Sequence, residues 1–293
     1  MKIPRTAREL IELFQQHKIR ADKRMGQNFL VDANLLRYVA EAGDLTTDDL
    51  VLEIGTGTGL LAREIASRCG RLVTVELDRA LASISNKFLA EYDNITHVSG
   101  DIMKSKHVLN PEVVATLHEF APDFARIKVV SNLPFNISTP FIGTCAEGGL
   151  ELERMVVMVQ KEVGERLAAS PGTKDYGYLT VMVQYHCAVR SLKDLPPQVF
   201  WPSPAVTSSV IRIVPQPVEK PARDYDTFRT LARTIFNHRR KSLYNSISYS
   251  KLLGKDKAAI CAAIEAVGFE PEIRGENLSV EQLVVLADEI VQR

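Results

Sequence analysis

The segment Glu53-Ile54-Gly55-Thr56-Gly57-Thr58-Gly59 constrains this chain more than any other. It follows the apolar run Val51–Ile54 and precedes an amphipathic run from Leu60 to Cys69. Glycines between a strand-like and a helix-like pattern let the backbone bend tightly and approach a ligand closely. Further β-rich runs follow at Leu72–Leu77, Ile95–Ser99, Ile127–Ser131 and Met155–Gln160, separated by helical patterns such as Arg79–Tyr92. That alternation predicts an α/β fold, a Rossmann-like parallel sheet covered on both faces. Val181–Val189 and Thr207–Val214 read as two more strands, and Pro215, Pro217 and Pro221 as a linker. The pattern beyond is helical. The expected organisation is a sheet domain over 1–216, with a basic N-terminal segment, and a small all-helical domain over 217–293.

Acidic residues fall where such a sheet would present a ligand. Glu76 ends the strand after the glycine turn, and a carboxylate there can take both hydroxyls of a ribose. Asp101, in Ser99-Gly100-Asp101-Ile102 after the third strand, can accept from an adenine amino group, with Ile102 beside it. The turn itself reads E-x-G-x-G-x-G. An acid before the first glycine would repel a pyrophosphate and suits a cationic ligand with an amino-acid tail. Glu53, Gly55, Gly57, Glu76, Asp101 and Ile102 therefore point to S-adenosylmethionine rather than a dinucleotide.

Asn132-Leu133-Pro134-Phe135 follows the fourth strand, on the same sheet edge. An exocyclic adenine nitrogen is a poor nucleophile because its lone pair is delocalised into the ring. Two acceptors aimed at its hydrogens, the Asn132 side-chain oxygen and the Leu133 carbonyl, would favour a pyramidal nitrogen. Pro134 restricts Leu133 to extended geometry, and Phe135 offers a flat face for a base. Phe200, in Val199-Phe200-Trp201-Pro202-Ser203-Pro204, is a candidate for the base's other face, whereas Trp201 reads as core.

Charge narrows the partners. Lys plus Arg and Asp plus Glu each total 36, which excludes a uniformly basic polyanion binder. The balance is local: residues 1–30 carry net +4, 229–257 net +7 and 258–293 net −5. Arg239, Arg240 and Lys241, read as part of a helix with Phe236, Tyr244 and Tyr249 nearby, are candidate phosphate contacts. The acidic segment after them faces solvent or pairs with the basic one. Cys69, Cys145, Cys187 and Cys261 are scattered, without metal-ligand spacing, as expected of reduced thiols. No stretch approaches the roughly 20 apolar residues of a membrane helix, and Glu9 and Glu12 interrupt any signal-like run. A cytoplasmic protein without a metal is expected.

Six segments in one order carry a resemblance. They are Met25-Gly26-Gln27-Asn28-Phe29-Leu30, the glycine turn, residues 132–140 (NLPFNISTP), Gln160-Lys161-Glu162-Val163, the Phe200–Pro204 loop and Phe236-Asn237-His238-Arg239-Arg240-Lys241. From about Arg20 to Val291 the chain resembles the ribosomal RNA adenine N6,N6-dimethyltransferases of the KsgA type. The resemblance implies an S-adenosylmethionine-dependent methyltransferase domain with a helical C-terminal domain. It implies dimethylation of two adjacent adenosines in the 3′-terminal hairpin loop of small-subunit (16S) rRNA, on a pre-30S subunit, by a monomer. It makes Asn28 and Leu30 a cap over the cofactor and Asn132 the residue shared between cofactor and target amine. Phe135 departs from the Tyr often found there, and residues 109–124 look like a lengthened connection. Two other readings remain. One is a large-subunit rRNA adenine N6-methylase of the macrolide-resistance type. The other is a non-catalytic assembly or transcription factor on the same fold.

Overall fold

The computed structural model describes residues 4, 6–22, 25–248 and 256–293; Tyr249, Lys251 and Lys255 of the basic segment lie outside them. The chain forms two compact units, residues 1–164 with 188–215 and residues 165–187 with 216–293.

The first unit is built on a seven-stranded sheet. Its strands are β1 (Asp49–Ile54), β2 (Arg71–Glu76), β3 (Ile95–Ser99), β4 (Arg126–Asn132), β5 (Arg154–Gln160), β6 (Cys187–Leu195) and β7 (Ser208–Pro215). They lie in the order β3-β2-β1-β4-β5-β7-β6. The first five pair in parallel, and β7 runs antiparallel to β5. Every residue of β1 is buried, as a central strand covered on both faces must be. Strand order reverses at β1, which has β2 on one side and β4 on the other. A crevice opens at the carboxyl ends of strands at such a switch point. The glycine turn leaves β1 and Asn132-Leu133-Pro134-Phe135 leaves β4, so the two motifs flank that crevice.

Helices α1 (Ala7–Gln16), α2 (Ala33–Ala42), α3 (Leu60–Ala66), α4 (Arg79–Phe88), α5 (Pro111–Phe120), α6 (Ser138–Thr144) and α7 (Lys161–Leu167) accompany the strands. One core cluster joins Val51, Leu72, Val130, Val156 and Val210 of the sheet to Leu13, Leu36, Leu61, Leu81 and Leu89. The 109–124 connection contains α5, started by the Asn110 side chain accepting the Glu112 N–H at 3.0 Å with Pro111 in the first turn. It is a crossover helix leading into β4.

The second unit holds α8 (Tyr178–His186), α9 (Tyr225–Asn237), α10 (Leu243–Ser248), α11 (Lys257–Ala266) and α12 (Val280–Gln292). Two expectations are corrected here. Val181–Val189 is not one strand, because α8 ends at His186 and β6 starts at Cys187. Val181, Met182, Val183 and Tyr185 are all buried, so α8 shows no polar stripe to betray its period. Nor does one cut at 216/217 divide the chain. Tyr176, Val181, Met182 and Tyr185 pack with Phe228, Leu231 and Leu283, and the Tyr176 hydroxyl donates to the Leu278 carbonyl at 3.0 Å.

No disulfide joins the four cysteines, and burial pushes the thiols of Cys69 and Cys187 up to about 12 and about 11. Among the described residues no helix is long and apolar enough to cross a membrane. None of their His, Cys, Asp and Glu side chains forms a metal-holding group of three or more.

Candidate active site

A cleft at the carboxyl ends of the parallel strands brings together Asn28, Gly55, Gly57, Glu76, Asp101, Ile102, Asn132 and Pro134. These residues come from the cap segment, the turn after β1, the end of β2, the turn after β3 and the loop after β4. The strand register delivers them to one edge, because parallel neighbours end on the same side.

The turn approaches its surroundings closely. Gly55 and Gly57 have φ of +73° and +58°, a left-handed region unfavourable to other residues. A Cβ on Gly57 would come 2.8 Å from the Phe29 ring, and one on Gly55 3.1 Å from Pro134 Cγ. Any side chain here would fill the cradle or force the flanking segments apart.

Glu76 is tied down on both carboxylate oxygens. Oε2 accepts the Gly57 N–H at 2.7 Å and Oε1 the Asp78 N–H at 2.8 Å. Burial nevertheless raises its pKa, and these backbone donors only moderate the shift. Asp101 is exposed, and its Oδ1 accepts the Met103 N–H at 2.9 Å. Ile102 is buried beside it.

Glu53 stands apart from these acids. It is 2% exposed and lines a smaller compartment behind the turn, shared with Leu30, Gly55 and Asn132. Burial above all, with the charge of Glu76 adding to it, holds its carboxyl well above the usual carboxylate range. Its Oε2 has no hydrogen-bond partner.

Asn132 donates from Nδ2 to the Asn28 carbonyl at 2.8 Å, which leaves Oδ1 as an acceptor. Leu133 is buried, and its N–H reaches the Met158 carbonyl of β5 at 3.2 Å. The Pro134 carbonyl accepts from Ile137 at 3.1 Å, closing a turn that leaves Phe135 half-buried.

Three expected site residues are placed differently. Leu30 is 3% exposed and packs in the core, so it lines only the smaller compartment. Phe200 is also 3% exposed. The bridge Phe29↔Trp201 and Leu30↔Phe200 alternates its side chains, and Phe200 takes the core side. It presents no face to a base. Trp201 packs against the same cluster, stacked on Phe29 with centroids 6.4 Å apart.

Arg239 is the third. The basic cluster is not helical, since α9 ends at Asn237 and α10 begins at Leu243. In the intervening turn the Arg239 guanidinium pairs with Glu276 and donates to the carbonyls of Lys174 at 2.6 Å and Thr173 at 2.8 Å. Arg240 and Lys241 are exposed. Phe236 and Tyr244 pack against the core of their own unit.

One participant escaped the sequence reading. Gln27 donates from Nε2 to Asp78 Oδ2 at 3.1 Å, and Asp78 caps α4. The cap segment is thereby clasped to the loop that carries Glu76. An Asp just before a helical run was the available signal.

The ribosomal RNA adenine dimethylase family matches residues 18–290. A relative in Alkaliphilus metalliredigens, named ribosomal RNA small subunit methyltransferase A, is 38% identical over 96% of this chain and 96% of its own length. One of the same name in Clostridium acetobutylicum is 36% identical over 95% and 97%. Among solved structures, a dimethyladenosine transferase from Plasmodium falciparum superposes with a TM-score of 0.73 at 24% identity, covering 86% of this chain and 94% of its own. The 23S rRNA methyltransferase ErmE gives 0.65 at 22%, covering 90% and 100%. At those identities the two structures establish the shared fold.

Proposed function

The chain belongs to the ribosomal RNA adenine dimethylase family, and from that premise we propose that it dimethylates N6 of two adjacent adenosines in the 3′-terminal hairpin loop of small-subunit (16S) rRNA during ribosome assembly. The observation that carries this reading is Asn132, which donates from Nδ2 to the Asn28 carbonyl and so turns Oδ1 to accept from a target amine.

The residues present fit S-adenosylmethionine. The Gly57 cradle leaves no room for a side chain. Glu76 and Asp101 line the cleft as acceptors for a ribose and an adenine. Glu53 adds an oxygen without a hydrogen-bond partner beneath the turn, and a cationic ligand would favour its ionised form. Bound there, S-adenosylmethionine supplies a methyl group already activated by the sulfonium charge, so no nucleophilic side chain is needed.

The protein's task is alignment. Asn132 Oδ1 and the Leu133 carbonyl accept the hydrogens of the adenine amino group and favour a nitrogen with its lone pair free. The turn through Pro134 fixes that carbonyl. Phe135 provides one stacking face, worth ~1–3 kcal/mol per base. Arg240 and Lys241 hold RNA phosphates, and Arg239 shapes the turn that displays them. The substrate is rRNA in a pre-30S particle, and the enzyme acts as a cytoplasmic monomer.

The small-subunit name of the relatives favours that target over large-subunit rRNA. Intact Gly55, Glu76, Asp101 and Asn132 favour an active enzyme over a purely binding factor. Mapping dimethyladenosine on rRNA from cells lacking this chain tests the reading. Loss of both marks in the 16S terminal loop is expected; loss from 23S rRNA, or from neither, overturns it.

A further inference from the structure

Between the cleft and α5 the chain makes a short hairpin. Met103–Ser105 pairs antiparallel with Val108–Leu109, through Met103↔Leu109 and Ser105↔Val108. Its base belongs to the cleft, because Gly100, Asp101 and Ile102 line the cleft wall. Asn110 fastens that base: its backbone N–H donates to the Ile102 carbonyl and its Nδ2 to the Asp101 carbonyl, each at 2.8 Å. Met103 and Leu109 are buried, whereas Lys104, Ser105, Lys106, His107 and Val108 are exposed. The return strand Val108–Leu109 has Cα atoms within 8 Å of those of α6. That helix follows Asn136 and Ile137, which also line the cleft. The hairpin therefore stands on the rim, between the Asp101 turn and the loop after β4.

Its charge differs from that of the cleft. Residues 102–111 contain Lys104 and Lys106 and no Asp or Glu. Among the described residues neither lysine forms an ion pair. Lys104 is three residues from Asp101, so their Cα atoms lie within about 11 Å of each other. Ionised carboxylates accept hydrogen bonds and do not donate them, so Glu76 and Asp101 cannot hold a phosphate. An adenine that enters the cleft leaves its sugar-phosphate chain outside, where cations on the rim can take it.

We infer that Lys104 and Lys106 hold phosphates of the single-stranded RNA flanking the target adenosine. The inference rests on the function proposed above and adds a contact beside the cleft to those expected of Arg240 and Lys241. Phosphate contacts fix register and orientation without reading sequence. A hairpin fastened to Asp101 and Ile102 thus sets how the strand approaches the cleft.

Filter binding across a salt series tests this, with small-subunit particles lacking the dimethyl marks and with a short single-stranded RNA. Lys104→Gln combined with Lys106→Gln should weaken binding of both about tenfold. The log-log slope against salt should become shallower by about 1.4, the value for two phosphates on a single strand. Lys104→Arg combined with Lys106→Arg should restore the parental slope. Lys87→Gln, in the last turn of α4, controls for overall charge and should leave the slope unchanged. The glutamine variant should keep the parent's thermal midpoint and S-adenosylmethionine affinity. An unchanged slope, or an equal change per charge in Lys87→Gln, overturns the proposal. So does a loss of cofactor affinity, which would make the hairpin a cofactor lid. A photoreactive side chain in place of His107 should cross-link to rRNA in the particle; cross-linking to ribosomal protein alone overturns the RNA assignment. A parent that bound RNA without methylating the particle would count against the proposed function, while the slopes would still decide the hairpin. A parent that bound neither RNA would overturn both.

Discussion

Glu76 Oε2 accepts the Gly57 N–H at 2.7 Å, so the carboxylate at the end of β2 is fastened to the turn at the end of β1. Its other oxygen holds the Asp78 N–H, and Asp78 in turn receives Gln27 of the cap segment. One acid thus organises the glycine turn, the start of α4 and the cap. Glu76→Ala should weaken S-adenosylmethionine binding by about 1.5–3 kcal/mol, the range for hydrogen bonds to a charged group. Glu76→Gln, which can still accept one backbone N–H, should fall between that variant and the parent. Calorimetry decides; unchanged affinity in Glu76→Ala would remove Glu76 from the cofactor site.

Asn132 faces two ways. Asn132→Ala should fold, lose most methyl transfer and bind the cofactor somewhat less tightly, because the Asn28 carbonyl loses its donor. Single-turnover assays with saturating cofactor and RNA isolate the catalytic part. A rate near that of the parent would refute the acceptor role. At the neighbouring position Phe135→Tyr should be almost neutral and Phe135→Ala inactive, since the stacking face matters more than a hydroxyl.

Glu53 exchanges stability for binding. Its folded pKa lies above its unfolded value, chiefly through burial. The folded chain therefore binds the more protons, and stability falls as pH rises from the ordinary Glu range near ~4.3 up through the raised folded value. Glu53→Gln keeps the shape without the charge. Its cofactor-free thermal midpoint should exceed the parent's at neutral pH, the gain should vanish towards pH ~4, and its affinity for S-adenosylmethionine should drop. A lower midpoint than the parent at neutral pH would contradict this account.

The sheet was legible because its strands are continuous apolar runs between turn signals, and β1 to β5 each match one such run. The cofactor-site residues were legible because glycine and acid positions at strand ends need only local geometry. What failed depends on tertiary context. Val181–Val189 is apolar enough for a strand, yet its first part is a helix buried on several sides. Phe200 and Trp201 are adjacent aromatics, and only the pairing with Phe29–Leu30 shows which one enters the core. The link between Gln27 and Asp78 spans 51 positions, so a local pattern marks Asp78 as a helix cap but does not name its partner. Likewise a charge count treats Arg239 and Arg240 alike, although only one of them meets Glu276.

That difference gives the sharpest test of the RNA-holding surface. Arg239 pairs with Glu276 and bonds two carbonyls, so Arg239→Ala should destabilise the protein by about 1–3 kcal/mol. Any loss of RNA binding in that variant follows from a distorted turn. Arg240 is exposed on the same turn. Arg240→Ala should keep the parent's thermal midpoint and S-adenosylmethionine affinity while binding pre-30S particles more weakly. If Arg240 neutralises one phosphate of single-stranded RNA, the log-log slope of affinity against salt should become shallower by about 0.7, because one set of counterions is no longer released. Filter binding across a salt series, with thermal melts of the same samples, measures both quantities. A parental slope and affinity in Arg240→Ala would reduce the turn to an ordinary solvated surface.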